Sequence, residues 1–362
     1  MSDKIRVLIV DDSAFMRKAI QMMLADDPAI EIVGFASNGK IGVEKAFELK
    51  PDLVTMDIEM PLLDGLTALR MIMEKQPTPV IMVSSLTSEG AQITLDALDL
   101  GAVDFIAKQM SFVSLDIVKI KADLQAKVRH IHSRRHTLMA QYALRKSRQI
   151  SKTSIGGAQI SQPSMLRAPR KKQKLVRLVS IGTSTGGPPA LQAVLTSLPR
   201  NFPVGIVVVQ HMPPMFTKSL AERLNNLCQM AVKEAEDGEQ INPGTVYIAP
   251  GDKHLLVRKN LSNNVARLSE KPADTLHKPS VDVLMNSVAD AVGQVSLGVI
   301  MTGMGADGLQ GLRAMKNRGA DIIAQNEESC IVYGMPRAVI EAGIADTVAP
   351  LEQIAGEIMA YF

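Results

Sequence analysis

Short apolar runs and longer amphipathic stretches take turns along the first 128 residues. The runs fall at 6–10, 30–36, 53–56, 80–83 and 103–107. The stretches lie near 14–25, 39–49, 65–75 and 89–99, with a long one from about 115. Brief apolar runs suit strands buried on both faces, and the amphipathic stretches suit helices. The alternation predicts a parallel sheet covered on both sides by helices. In such sheets the functional groups gather beyond the carboxyl ends of the strands.

After the long helix the pattern stops. From 147 to 173 the chain turns to Ser, Gln, Gly, Pro, Lys and Arg, with Gly156, Gly157, Pro163 and Pro169, which is linker chemistry. A second strand–helix alternation begins at Leu175. Its strand candidates are 178–181, 205–209, 246–249, 255–257, 299–301 and 322–324, and an amphipathic helix near 351–361 closes the chain. The expected organisation is an α/β domain over 1–128, a connector over 129–174 and a second doubly wound α/β domain over 175–362. No internal repeat is visible.

Composition agrees with two sizeable cores: 46% of the 362 residues are hydrophobic and 21% charged. Two cysteines, Cys228 and Cys330, make no disulfide framework and no Cys-rich zinc pattern, which favours a reducing compartment. No apolar run reaches the ~18 residues of a membrane span. Asp11 and Asp12 break the first apolar stretch where a signal peptide would continue it, so a cytoplasmic location is expected. Charge is unevenly spread, with net −6 over 1–128, +12 over 129–174 and −3 over 175–362. The basic connector is ordinarily a solvated helix and tail. A contact with nucleic acid or an acidic surface is the alternative.

Chemistry in the first domain lies at its strand ends. Asp11 and Asp12 follow the first strand, Asp57 the third, Ser84 and Ser85 the fourth, and Lys108 the fifth. One such acid is ordinarily a turn or cap residue, but the joint pattern is harder to explain that way. Asp12 and Asp57 suit a shared Mg²⁺, which takes carboxylate oxygens. Lys108 would offset charge on phosphoryl oxygens. These residues resemble the receiver domain of two-component response regulators over the whole of 1–128. The resemblance implies a flavodoxin-like sheet of order 2-1-3-4-5, with Asp57 as phosphoacceptor. It also implies Mg²⁺ held by Asp12 with Asp11 beside it, by Asp57 and by the main-chain carbonyl of Glu59. Ser84, Phe105 and Lys108 would be the switch residues. Phe105 replaces the commoner Tyr, and Gln109 stands where the family usually has Pro.

In the second domain, LVSIGTSTGGPPAL reads as strand, tight turn and helix, with Ser184 at the turn. Gly-x-Ser-x-Gly is the spacing of a nucleophile elbow, although Ser184 or Thr185 as a plain helix cap is the simpler reading of this run alone. A dinucleotide loop fits less well, because Ser184 replaces its middle glycine. VGIVVVQHMPP ends a strand at His211, and LGVIMTGMGADG runs into a glycine-rich loop carrying Asp307. Taken singly these read as a structural His and a cap or turn acid. Together the three loops supply a nucleophile, a base and a group to orient the base. His254 is the best rival base. His130, His132 and His136 lie in the basic helix, and His277 lacks a comparable strand end.

A receiver, a basic linker, then GTSTGG, QHMPP and TGMGADG resemble one family: the chemotaxis response-regulator protein-glutamate methylesterases, also protein-glutamine deamidases. The resemblance makes Ser184 the nucleophile, His211 the general base and Asp307 its orienter. It puts Thr185 in the active site and the Met304 N–H in the oxyanion hole. It implies methylated glutamates and certain glutamines of chemoreceptors as substrates, and a chemotaxis histidine kinase as phosphodonor. The receiver would inhibit the esterase until phosphorylated. No cofactor for the esterase, no nucleic acid and no membrane insertion are expected. Two rival readings are a DNA-binding response regulator using the connector, and a hydrolase of some other ester.

Overall fold

The computed structural model describes residues 4–108, 116–140, 142–143, 174–260 and 263–362. The chain divides into two compact units, Met1–Ala168 and Pro169–Phe362.

The first unit runs β1 (Ile5–Val10), α1 (Ala14–Ala25), β2 (Ile30–Ala36), α2 (Gly39–Leu49), β3 (Leu53–Asp57), α3 (Gly65–Lys75), β4 (Val80–Ser85), α4 (Ser88–Leu100), β5 (Asp104–Lys108) and α5 (Asp116–Ser133). Its strands pair in parallel in the order β2-β1-β3-β4-β5. Strands β1, β3 and β4 are the apolar runs, and Val7, Leu8, Ile9, Leu53, Val54, Ile81 and Met82 are completely buried. Each of α1 to α4 is started by a side chain. Ser13, Asn38, Asp64 and Thr87 accept hydrogen bonds from the N–H three residues on. The turns after β1, β2 and β4 have two or three residues and that after β3 has seven, and the acids at the ends of β1 and β3 lie at one edge of the sheet.

Helix α5 passes the boundary expected at 128. Arg129 Nε donates to Asp27 Oδ2 at 2.5 Å, and Arg135 Nε lies 3.3 Å from Asp52 Oδ1. Ile131 and Leu138 are buried. The first basic residues of the connector thus neutralise acids of this unit, and the connector begins later than residue 129. Gln109 and the stretch 144–173 lie outside the described residues.

The second unit runs β6 (Leu178–Thr183), α6 (Gly187–Leu195), β7 (Gly205–Gln210), α7 (Phe216–Leu227), β8 (Ala231–Glu234), β9 (Thr245–Ile248), β10 (His254–Asn260), β11 (Asn263–Ser269), α8 (Val281–Ala291), β12 (Ser296–Ile300), α9 (Leu309–Asn317), β13 (Asp321–Gln325), α10 (Met335–Glu341), β14 (Thr347–Ala349) and α11 (Leu351–Met359). Seven strands form a parallel sheet in the order β14-β13-β12-β6-β7-β9-β8. On one face Val207, Val209, Ile300 and Ile322 pack with Val281, Met285, Leu312 and Met335 of α8, α9 and α10. The alternate residues Val179, Ile181, Val208 and Val299 are equally buried, so the other face is covered too.

The strand expected at 255–257 does not join this sheet. It belongs to β10, which pairs with β11 in a separate antiparallel hairpin. Strands β8, β11 and β14 escaped the sequence pattern because they are short or polar, as strands at an edge or in a hairpin are. Strand β6 stands at the middle, with β12 on one side and β7 on the other. That order brings the loops carrying Ser184, His211 and Asp307 to one edge.

Candidate active site

Ser184 is the first residue past β6. Its N–H donates to the Thr302 carbonyl at 3.0 Å, which ties it to the end of β12. Its own carbonyl accepts from Gly187 N at 2.7 Å and Gln210 Nε2 at 2.9 Å. The turn then needs two glycines. Gly186 has φ 74°, in the left-handed region. A Cβ on Gly187 would lie 1.8 Å from Gln210 Oε1. Gly186 is also the N-cap of α6, with no side-chain hydrogen bond to the cap. The N-cap position therefore belongs to Gly186 and not to Ser184 or Thr185, and the Ser184 side chain is half-buried. Thr185 is buried, and its carbonyl accepts from Thr302 Oγ1 at 2.8 Å.

His211 is the first residue past β7, and its N–H donates to the Thr183 carbonyl at 3.2 Å. Serine and histidine thus sit on adjoining turns of adjacent strands, joined through their main chains. The His211 ring points toward the β12 loop, where Nε2 lies 2.8 Å from Asp307 Oδ2. Its Nδ1 is buried and hydrogen-bonded to nothing among the described residues. With Nε2–H given to a carboxylate, Nδ1 carries the lone pair that can accept a proton.

Asp307 is not the cap of α9 that its position suggests. Its carboxylate accepts from Val281 N at 2.7 Å, Asp282 N at 3.0 Å and Ser280 Oγ at 2.9 Å, all at the start of α8. Burial would raise its pKa. Hydrogen bonding and the charge of His211, with the N–H groups of Asp282 and Val281, outweigh burial and hold it well below the usual carboxylate range. Asp307 is therefore ionised wherever His211 is to be oriented.

Gly303 brings the Met304 peptide to the serine. A Cβ on Gly303 would sit 2.9 Å from Ser184 Cβ. The Gly303 carbonyl accepts from Gly334 N and Met335 N, at 3.0 and 2.9 Å. Because C=O and N–H of a trans peptide point in opposite directions, the Met304 N–H is aimed away from α10.

His254, the rival base, is completely buried. Its Nδ1 accepts from Ser280 N at 3.2 Å and its Nε2 faces the Pro272 carbonyl at 3.0 Å. Both nitrogens hold the chain leading into α8, and burial pushes its pKa down. His277, set aside by sequence reasoning, stacks on the His211 ring at 4.1 Å between centres. Ser280 and Asp282 were also missed. Their signal was present, since Ser280 stands just ahead of the amphipathic run VDVLMNSVADA.

In the first unit, Asp11, Asp12 and Asp57 each offer a carboxylate oxygen within 4.8 Å of the others. Such hard oxygens fit a divalent cation. Lys108 Nζ lies 2.7 Å from Asp57 Oδ2 and 3.5 Å from Asp11 Oδ2. Burial, with the nearby Asp11 charge, raises the Asp57 pKa to about 6 against the opposing hydrogen bond from Lys108. Glu59 N–H donates to Asp57 Oδ1 at 3.4 Å, so the Ile58–Glu59 peptide borders the acids. A Cβ on Gly65 would come within 1.9 Å of the Asp57 carbonyl, so the loop after β3 packs tightly over it. The buried Ser84 hydroxyl faces α4, donating to the Gly90 carbonyl at 3.2 Å and accepting from Thr94 Oγ1 at 2.8 Å. Phe105 is buried on the neighbouring strand, opposite Met82.

Residues 179–358 match the family model described as CheB methylesterase, and residues 7–118 match the response regulator receiver domain. Over 372 residues the chain is 51% identical to protein-glutamate methylesterase/protein-glutamine glutaminase 1 of Oleidesulfovibrio alaskensis, covering 98% of each. The chain belongs to the protein-glutamate methylesterase/protein-glutamine glutaminase family. A second member of that family, from Nitratidesulfovibrio vulgaris, is 48% identical over 368 residues, again covering 98% of each chain. The crystal structure of the Thermotoga maritima CheB methylesterase catalytic domain matches with a TM-score of 0.50 and 45% identity, covering 51% of this chain and 97% of that one. Family membership accounts for both units and does not favour the DNA-binding reading.

Proposed function

We propose that this chain is a phosphorylation-activated serine hydrolase. It removes methyl esters from glutamates of chemoreceptors and deamidates specific receptor glutamines. The observation that carries the reading is the His211 Nε2–Asp307 Oδ2 contact of 2.8 Å, which leaves the buried Nδ1, without a hydrogen-bond partner among the described residues, as the nitrogen that can take a proton.

In this mechanism Ser184 Oγ attacks the ester carbonyl while its proton passes to His211 Nδ1. The tetrahedral oxyanion sits among N–H groups at the Thr185 turn and Met304. The C–O bond to the methoxy group then breaks, and His211 returns its proton so that methanol leaves. Water attacks the acyl-serine with His211 again as base. The Ser184 oxygen leaves, takes back a proton, and a free glutamate carboxylate remains. A glutamine follows the same course with ammonia as leaving group, more slowly because the nitrogen must be protonated first. Asp307 keeps Nε2 protonated and stabilises the imidazolium without itself taking a proton.

Asp57 is the proposed phosphoacceptor. Asp11, Asp12, Asp57 and the Glu59 carbonyl would hold Mg²⁺, which when bound supplies charge that draws a phosphoryl group toward the Asp57 carboxylate. Lys108 pairs with the phosphoryl oxygens. Ser84 leaves its α4 partners to meet them, and Phe105 shifts with it. A chemotaxis histidine kinase is the proposed donor. A cytoplasmic location fits, as no described helix is long and apolar enough to cross a membrane.

The test is Ser184→Ala in the full chain. It should abolish methanol release from methylated receptor membranes and leave Asp57 phosphorylation intact. Turnover near the wild-type rate would put the nucleophile elsewhere. Hydrolysis of a small ester without methanol release from receptors would favour a different substrate.

A further inference from the structure

The starts of α8 and α9 exchange carboxylates. Asp307, on the loop entering α9, accepts from Ser280, Val281 and Asp282 at the start of α8. Asp282, in the first turn of α8, accepts from Gly308 N at 3.0 Å and Gly311 N at 2.7 Å, at the start of α9. A cap ordinarily serves its own helix. Ser280 still accepts from Val283 N at 3.4 Å for its own helix, but Val281 N and Asp282 N, like Gly308 N and Gly311 N, go to an acid from the other side. Neither helix can therefore slide without unmaking both sets of bonds.

Two glycines permit the close approach. Gly308 has φ 101°, and a Cβ there would lie 2.8 Å from Val281 Cγ1. A Cβ on Gly311 would lie 2.7 Å from the Asp282 carbonyl oxygen. Any side chain at either position would push the helices apart and break the exchange.

The consequence reaches the base. Asp307 Oδ2 meets Val281 N at 2.7 Å and His211 Nε2 at 2.8 Å, so one oxygen serves both the helix and the imidazole. We infer that Asp282 is a positioning residue for the hydrolysis: by gripping Gly308 and Gly311 it fixes the Asp307 loop so that Asp307 Oδ2 meets His211 Nε2. This rests on the reading of Asp307 as the group that orients His211. Asp282 touches no reacting atom, and its effect passes through Asp307.

The experiment is a mutant cycle in the full-length protein. It reads kcat and KM for methanol release from methylated receptor membranes, with thermal unfolding followed by circular dichroism. Asp282→Ala should lower kcat roughly tenfold to a hundredfold and leave KM within about twofold. Asp282→Asn, which keeps an acceptor oxygen, should recover most of that loss. On an Asp307→Ala background, Asp282→Ala should cost nothing further in kcat, because there is no longer an orienter to place.

A merely structural role would lower the unfolding temperature in every background and multiply the kinetic losses. Wild-type kcat in Asp282→Ala, or an undiminished loss on the Asp307→Ala background, overturns the inference while Asp307 keeps its role. If Asp307→Ala itself has wild-type kcat, the orienter reading fails and takes this one with it. Should Asp282→Ala not fold, the cycle is run with Asp282→Glu, which keeps the charge but carries the carboxylate one methylene away from Gly308 N and Gly311 N. Its expected severalfold loss in kcat must vanish on the Asp307→Ala background, and persistence there is equally damaging.

Discussion

The imidazole of His277 lies nearly flat against that of His211, with ring planes 18° apart and centres 4.1 Å apart. One face of the proposed base is thereby covered, so the ring is held against tilting toward His277. His277→Ala should lower kcat about threefold to tenfold by loosening that ring. His277→Phe, which restores a flat partner, should recover most of the rate. Equal losses in the two variants would show that stacking is not what matters.

His254 should behave as a structural histidine. Burial holds its pKa below the ordinary 6.5, so the folded protein resists a proton that the unfolded chain accepts. Its contribution is whole above pH 6.5 and is lost as pH falls below that value toward the depressed folded pKa. Asp307 also has a depressed pKa, but its contribution is lost only as pH falls below the unfolded value near 3.8. Denaturant unfolding followed from pH 7.5 to 5 should show His254→Gln gaining stability relative to the wild type as pH falls. Asp57 contributes in the opposite sense, since its raised pKa adds stability as pH drops through about 6, and that contribution cancels in the difference. The variant should keep measurable esterase activity. Its complete loss in a folded His254→Gln would return His254 to the chemistry.

Gly303 has no room for a methyl group. An added Cβ would lie 2.9 Å from Ser184 Cβ and 2.2 Å from Met335 Sδ. Gly303→Ala should cost about 1–3 kcal/mol of stability by overpacking. It should also lower kcat more than tenfold by displacing Ser184 or the Met304 peptide. Kinetics and urea unfolding of one preparation would check both, and wild-type kcat would remove Gly303 from the site.

Asp57→Asn in the full chain should abolish uptake of phosphoryl from a small donor and any stimulation of the esterase by that donor. Basal hydrolysis should remain. Chelating Mg²⁺ should block uptake in the wild type and leave basal hydrolysis untouched, because the proposed esterase chemistry uses no metal. Radiolabel retained by Asp57→Asn would point to Asp11 or Asp12.

Much of the architecture was legible because strand runs such as VLIV and GIVVVQ are buried on both faces and show it in every residue. Turn chemistry was equally local. Glycines after β6 and acids at the ends of β1 and β3 mark strand ends whatever lies around them. That sufficed to nominate Ser184, His211, Asp307 and Asp57. The sequence could not say that 255–257 belongs to a hairpin outside the main sheet, since an apolar run does not name its partner strand. It placed His211 ahead of His254 and set His277 aside on strand ends alone, but it could not say what those two do, because a buried histidine and a working one look alike until their neighbours are known. Tertiary structure decided that His254 faces Ser280 N and Pro272 O, and that His277 covers His211. It also decided that Asp307 caps α8, the helix 26 residues before it, and not its own. Hydrophobic period and turn preference act over a few residues, whereas hydrogen-bond partners are chosen by which chain segments packing brings together.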